Sequence, residues 1–369
     1  MEQTFFMPVK VIAAEGAIAR NAEEFTKLGR RALIVTGKTS AKKCGALDDV
    51  TSVLKAAGIS YVIYDEITQN PMLSACKKGG DIARQEKVDF IIGIGGGSPL
   101  DATKAIAIFA ANDMPEEEIF ALSWPNHALP YILVGTTAGT GSEVTPYAVL
   151  TVDRTGLKRS VGHPQCYANA AISDPRYTDS LPREFTLSTA LDALSHSIEG
   201  YFASTANGFS DLFAAEAICI IYHTLYPIVY DHRELSPADR DQLYLASLYA
   251  GVTIAKTGTS YCHSVGYFLT EDYHIPHGYA CAVYLPDYLM RGAAYLPEKA
   301  QALFGRLGAS AEGLAKLIQD ATPAMNLLLS DAQIEALSAR WAGNPASLAK
   351  APGNFTVEDA KALVRKLFQ

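Results

Sequence analysis

From Arg31 onward the chain alternates short β-branched runs with longer amphipathic ones. ALIV (32–35) precedes a helical pattern over 42–57, YVIY (61–64) one over 73–86, and FIIGI (90–94) one over 99–111; a further apolar run, YILVG, covers 131–135. Strands separated by helices of about four turns read as βαβ units, hence a largely parallel sheet with helices on both faces. After Asp174-Pro175 the texture changes, and from Thr186 the segments are long, Ala- and Leu-rich and spaced at the helical period. The stretch 173–186, with two prolines, several Ser and Thr and no apolar period, predicts a junction near 178. The expected architecture is an α/β domain over 1–178 and an all-α domain over 179–369, with 345–355 a loop before a last helix. Phe5, Met7, Val9 and Val11 recur every second residue and predict one face of an N-terminal strand, as a dimer-forming segment or a plain edge strand.

Composition narrows the classes without choosing a chemistry. A chain of 369 residues, 49% hydrophobic and 19% charged, is globular and large enough for two domains. Its net charge of -8 repels phosphate backbones, so nucleic acid is not an expected partner. No apolar run approaches the length expected of a membrane span, and the first residues lack a signal peptide's pattern, so a cytoplasmic protein without membrane contact is expected. The six cysteines form no C-x-x-C pair and read as reduced, mostly buried thiols.

Two glycine-rich stretches follow strands. Gly93, Gly95, Gly96, Gly97 and Ser98 come directly after FII and precede a helix that Pro99 would open. Glycines there let a backbone approach pyrophosphate, and the helix N-terminus attracts it. Gly135 to Glu143, with its three threonines and Ser142, also follows a strand and suits contacts to a polar ligand. Together they favour a dinucleotide cleft in a Rossmann-like sheet. The first strand ends at Thr36-Gly37-Lys38, with Lys42 and Lys43 close behind and no carboxylate before Asp48, which favours NADPH over NADH. Asp65 and Glu66, ending the second strand, are the competing ribose acids.

A second constellation lies in the helical half. Asp192 and His196 are four apart and share a helix face, with Glu199 one turn on. His263 in YCHSVGY and His277 in IPHGYACAVYLP complete one oxygen and three nitrogens, a set that suits iron or zinc better than magnesium or calcium. Pro276 and Gly278 are expected to fix a turn before an apolar helix.

These motifs resemble those of the iron-containing, or group III, alcohol dehydrogenases. GGGSPLDATKA (95–105) is similar to the family's GGGSxxDxxKA, TTAGTGSEVT (136–145) to its loop of the same letters, LDALSHSIEGY (191–201) to DAxxHAIEAY, and IPHGYACAVYLP (275–286) to PHGxANAxxLP. The resemblance implies a Rossmann-like dinucleotide domain and a helical domain with the active site between them, and a homodimer. It implies Asp192, His196, His263 and His277 as ligands of Fe(II) or Zn(II), and cofactor contacts at Asn70, Gly96, Gly97, Ser98, Asp101, Thr136, Thr137, Thr140 and Lys158, with Gly37 and Lys38 near the ribose. Gly37 stands where many members carry an NADH-favouring Asp, which supports NADP(H) over NAD(H). The implied reaction is hydride transfer between the cofactor and a small alcohol or aldehyde, with Tyr267 and the ligand His277 as catalytic residues. Tyr267 stands in place of the second histidine of the family's H-x-x-x-H, and its unperturbed pKa of about 10 makes it a poorer base. A glycerol dehydrogenase-like, maleylacetate reductase-like or dehydroquinate-synthase-like member, and a non-catalytic nucleotide or metal sensor, are the other readings.

Overall fold

The computed structural model describes residues 3–369, and the chain divides into two compact units, residues 6–181 and residues 3–5 with 182–369. In the first unit eight strands form: β1 (Lys10–Ala13), β2 (Arg31–Thr36), β3 (Ser60–Tyr64), β4 (Phe90–Gly95), β5 (Tyr131–Gly135), β6 (Tyr147–Thr151), β7 (Lys158–Gly162) and β8 (Ala170–Ser173). Six of them make one sheet in the order β1-β8-β5-β4-β2-β3, with every pairing parallel. The inner strands β4, β5 and β8 are buried throughout, as strands covered on both faces should be. Alternate residues feed one core, where Ile34, Ile92, Ile132 and Ile172 meet Val50 and Leu54 of the helix Ala46–Ala56. On β4, a Cβ at Gly93 would lie 2.3 Å from Thr103 Oγ1, so this glycine lets the helix Gly97–Ala111 lie close on the sheet.

Several expectations need correction. The N-terminal alternation predicted a strand over 5–11, but the strand begins at Lys10; Val9 is buried and Val11 exposed, so the inward phase shifts between them. The helical pattern over 42–57 breaks at Gly45, whose φ of 86° suits glycine, into Ser40–Lys43 and Ala46–Ala56. The motif helix begins at Gly97 and not at Pro99. An antiparallel hairpin of β6 and β7, unforeseen in the sequence, follows the second glycine-rich stretch.

The second unit is helical throughout, and the expected loop over 345–355 holds the short helix Pro345–Leu348 before the last helix, Val357–Phe368. The expectation of no long apolar run is also corrected, because the helix Gly208–Tyr230 has 23 residues, a mean hydropathy of 1.6 and the composition of a possible span. Here it packs one face on the helices Arg183–Phe202 and Pro237–Thr257 of the same unit. Asn207 caps its start with a capping box.

Candidate functional site

In the first unit, the chemistry collects at the carboxyl ends of β2 and β4. From β2 the chain crosses to β3 on one side, and from β4 it crosses to β5 on the other, so β2 and β4 flank the switch point of the sheet, the place where open α/β sheets bind ligands. Thr36 pairs with Ile94, which puts Gly37 and Gly95 side by side at that point. Asp65 and Glu66, by contrast, follow the outer edge strand β3, and Glu66 is tied to Lys78 at 2.5 Å. The sheet order therefore brings Gly37 to the switch point in preference to the acidic pair.

The glycines of the turn serve the protein as well as any ligand. A Cβ on Gly97 would meet Thr140 Cγ2 at 2.8 Å and one on Gly96 would meet Thr137 Cγ2 at 3.0 Å, so the two glycine-rich stretches nest against each other. Thr136 N–H donates to Gly95 O at 2.9 Å and fixes their register. Asn70, at φ 57°, donates its N–H to Ser98 Oγ at 3.1 Å. Gly37, Lys38, Asn70, Gly96, Gly97, Ser98, Thr136, Thr137 and Thr140 thus belong to one end of the sheet and its adjoining turns, and the N–H groups of a fifteen-residue helix start among them. Lys38 is exposed, as are Lys42 and Lys43.

Asp101 and Lys158 hold other positions. Asp101 accepts from Ser142 Oγ at 2.6 Å and Val149 N–H at 2.9 Å, so both its oxygens bind the protein. Beside it the fully buried Lys104 ammonium donates to Ser142 O and Oγ at 2.8 Å and Tyr147 O at 2.5 Å. Burial lowers its pKa, opposed by Asp101. These two side chains of the motif helix pin the 136–145 loop and the hairpin. Lys158 opens β7, paired in register with Thr151.

In the second unit three helices each contribute two residues four apart. Arg183–Phe202 carries Asp192 and His196, Tyr261–Glu271 carries His263 and Tyr267, and the short helix His277–Ala282 carries His277 and Cys281. Residues at i and i+4 share a face, and each pair is directed into the same place. Glycine makes the convergence possible: a Cβ on Gly266 would lie 2.7 Å from Ala280 O, and one on Gly278 only 1.7 Å from Ser188 O. Gly278 is therefore inside a helix that starts at His277, and not in the turn the sequence suggested.

The polar stripe of Arg183–Phe202 is buried rather than solvated, with Asp192, His196 and Glu199 all 5% exposed or less. Asp192 Oδ1 lies 3.6 Å from His263 Nε2, 3.9 Å from His277 Nε2 and 3.8 Å from His196 Nε2. Asp192 Oδ1 and His263 Nε2 have no hydrogen-bond partner among the described residues, although both are buried. Such orphaned atoms are costly unless something joins them, and a divalent cation does. Burial works to raise the Asp192 carboxyl, but His196, His263 and His277 hold it well below the usual carboxylate range. The donors Asp192, His263, His277 and Cys281 all lie within 4.8 Å of one another. His196 stacks on His263 with ring centroids 4.5 Å apart but stands outside that group. Cys281 is a free, buried thiol, as expected of the cysteines, and its Sγ lies beside the histidines because it is four residues on from His277.

Glu199 is fully buried and bonds His263 Nδ1, while also accepting from Cys262 N–H at 2.7 Å. A carboxylate there keeps the proton on Nδ1 and leaves Nε2 for the metal. Glu199→Gln should weaken metal binding about 10- to 100-fold in competition with a chromophoric chelator, the range for lost outer partners. An unchanged affinity would mean that packing alone orients the His263 ring. Tyr267 stacks on His277, with centroids 5.7 Å apart and planes at 11°, and burial pushes its hydroxyl up to about 12. It is thus a hydrogen-bond donor at neutral pH and not a base.

A cavity of about 370 Å³ in this unit is walled by Tyr273, Ile275, Pro276, Tyr279 and residues 323–327, which places Tyr273 and the segment leading into His277 on its lining. Phe268 packs edge-on to Tyr273 behind it.

The comparisons agree across both units. Residues 8–175 match the family model "Iron-containing alcohol dehydrogenase", and residues 186–339 the model "Fe-containing alcohol dehydrogenase family, C-terminal". The chain is 33% identical over 306 residues to the bifunctional aldehyde-alcohol dehydrogenase AdhE of Escherichia coli (strain K12), covering 79% of this chain but only about a third, 34%, of that longer protein. It is 31% identical over 289 residues to an NADPH-dependent butanol dehydrogenase of Clostridium saccharobutylicum, with 76% and 72% of the two chains covered. Among solved structures, an iron-containing alcohol dehydrogenase from Thermotoga maritima superimposes with a TM-score of 0.90 at 36% identity, covering 100% of this chain and 99% of that one.

Proposed function

Because this chain belongs to the iron-containing alcohol dehydrogenase family, we propose that it transfers hydride between NADP(H) and a small alcohol or aldehyde, with iron or zinc in its helical unit. The observation that carries this reading is the buried cluster of Asp192, His263 and His277, whose orphaned oxygen and nitrogen call for a cation. When bound, the metal polarises the substrate oxygen and the nicotinamide exchanges hydride with its carbon. The chain's own residues prepare for this. The three histidines keep Asp192 ionised, Glu199 holds the His263 ring through Nδ1, and Tyr267 presents a hydroxyl that donates a hydrogen bond but does not take the proton. In the first unit, the nested turns and the helix N-terminus at Gly97 offer N–H groups to a pyrophosphate.

The preference for NADP(H) rests on the switch point. A ribose placed there meets Gly37 and the exposed Lys38, Lys42 and Lys43, with no carboxylate to repel a 2′-phosphate. In the metal-loaded protein, kcat/KM for aldehyde reduction should be about tenfold or more higher with NADPH than with NADH. Gly37→Asp should reverse that order; its Cβ would meet Ile67 O at 3.2 Å, a contact a slight shift relieves. Equal or better turnover with NADH in the unaltered chain would overturn the preference. The absence of turnover with either cofactor, metal bound, on a panel of alcohols and aldehydes would overturn the catalytic reading itself.

A further inference from the structure

We propose that Lys104 and Asp101 are positioning residues for the nucleotide: through Ser142 they fix the hydroxyl of Thr140 as a hydrogen-bond donor to the pyrophosphate. The proposal rests on the reading of the glycine-rich turns as a dinucleotide cradle and names what sets its geometry.

The Lys104 ammonium has no exposed surface, and its hydrogen bonds all go to oxygens: Ser142 O and Oγ at 2.8 Å, Tyr147 O at 2.5 Å, Thr145 Oγ1 at 3.3 Å and Asp101 Oδ1 at 3.4 Å. A cation of the motif helix therefore grips the loop just beyond Thr140. Apolar side chains in place of such a buried pair are often neutral or better for stability, so its presence beside the nucleotide turn points to geometry. Ser142 is the link. Its Oγ donates to Asp101 Oδ1 at 2.6 Å, and its N–H donates to Thr140 Oγ1 at 3.3 Å across Gly141, whose φ is 57°. A hydroxyl that accepts from an N–H keeps its own proton for another acceptor, and the Thr140 hydroxyl has no acceptor among the described residues. It lies beside the first residue of the helix Gly97–Ala111, with Oγ1 only 3.2 Å from where a Cβ on Gly97 would be. Ser98 repeats the pattern: its Oγ accepts from Asn70 N–H at 3.1 Å, and its proton too has no acceptor among the described residues. Two half-buried hydroxyls with protons to give thus stand at the start of a long helix, a donor set that matches the oxygens of a pyrophosphate. Of the two, only Thr140 is held through the buried ion pair, since Ser98 is set by Asn70.

The test is a double-mutant cycle on the affinity of the full-length protein for NADPH or NADH, whichever binds more tightly, read from the fluorescence of the bound nicotinamide. Lys104→Met should weaken binding about tenfold or more, and so should Thr140→Val, which keeps the shape and removes the hydroxyl. Together the two should lose little more than either alone, because they act on one contact, whereas the losses of Lys104→Met and Ser98→Ala should multiply. A merely structural role for Lys104 would make its loss multiply with both. Unchanged affinity in Lys104→Met, or losses at Lys104 and Thr140 that multiply, overturn the proposal. Where Lys104→Met alone does not fold, Lys104→Met with Asp101→Asn removes both charges together, and the same coupling to Thr140→Val is expected of it; its absence overturns the proposal equally. Failure of the unaltered protein to bind either nucleotide overturns the reading of the cradle itself.

Discussion

His263→Ala and His277→Ala should each abolish tight metal binding and lower kcat/KM for aldehyde reduction by about a thousandfold or more, because the Lewis acid supplies several kcal/mol of transition-state stabilisation. The same loss is expected of Asp192→Asn, which keeps the shape and removes the charge. Asp192 is the hub of the cluster, within 3.9 Å of three imidazoles, and no carboxylate nearby can replace it, since Glu199 is engaged with His263 and Cys262. Metal analysis of the purified variants and steady-state kinetics after reconstitution check this. Full activity with bound metal in either His→Ala variant would remove the assigned site. Binding should also weaken as pH falls, because protons compete for the histidines and the carboxylate that the metal requires.

The second large effect is on assembly. Gly278→Ala places a methyl group 1.7 Å from Ser188 O, a backbone atom of a helix whose residues from Thr186 onward are all buried except Thr189. No rotamer relieves that contact, so the helix His277–Ala282 must move away, taking both His277 and Cys281 with it. The expected cost is about 3 kcal/mol or more, a fall of about 6–12 °C in Tm for a unit of this size, with metal binding lost as well. Calorimetry with and without Zn(II) measures both. A melt within about 2 °C of the unaltered protein, with metal retained, would show that the helices can separate without consequence.

What could be read in the sequence followed physical signal strength. The buried parallel strands ALIV, FIIGI and YILVG announce themselves because a strand covered on both faces needs an unbroken apolar run. β8 does not, as three of its four residues AAIS are small and weak strand formers, and β7, KRSVG, is largely polar. The spacing of Asp192 and His196 revealed a helix face but not that the face is buried, because its cover comes from residues such as His263 and His277, far away in sequence. Strand order is a long-range property, and only with it does Gly37, and not Asp65 or Glu66, stand next to the glycine turn. Gly96 and Gly97 were read as room for phosphate; half the reason lies in Thr137 and Thr140, forty residues away in sequence.

The three helices that meet at the donor cluster have a thermodynamic consequence. Asp192, His263 and His277 come from separate helices, so an unfolded chain can offer a cation only local pairs such as Asp192 with His196 or His277 with Cys281. Metal affinity is therefore almost wholly a property of the native state. By mass action, each tenfold rise in free metal above its dissociation constant adds about 1.4 kcal/mol to stability, and the same chain is a measurably tougher molecule in a metal-rich environment than in a starved one.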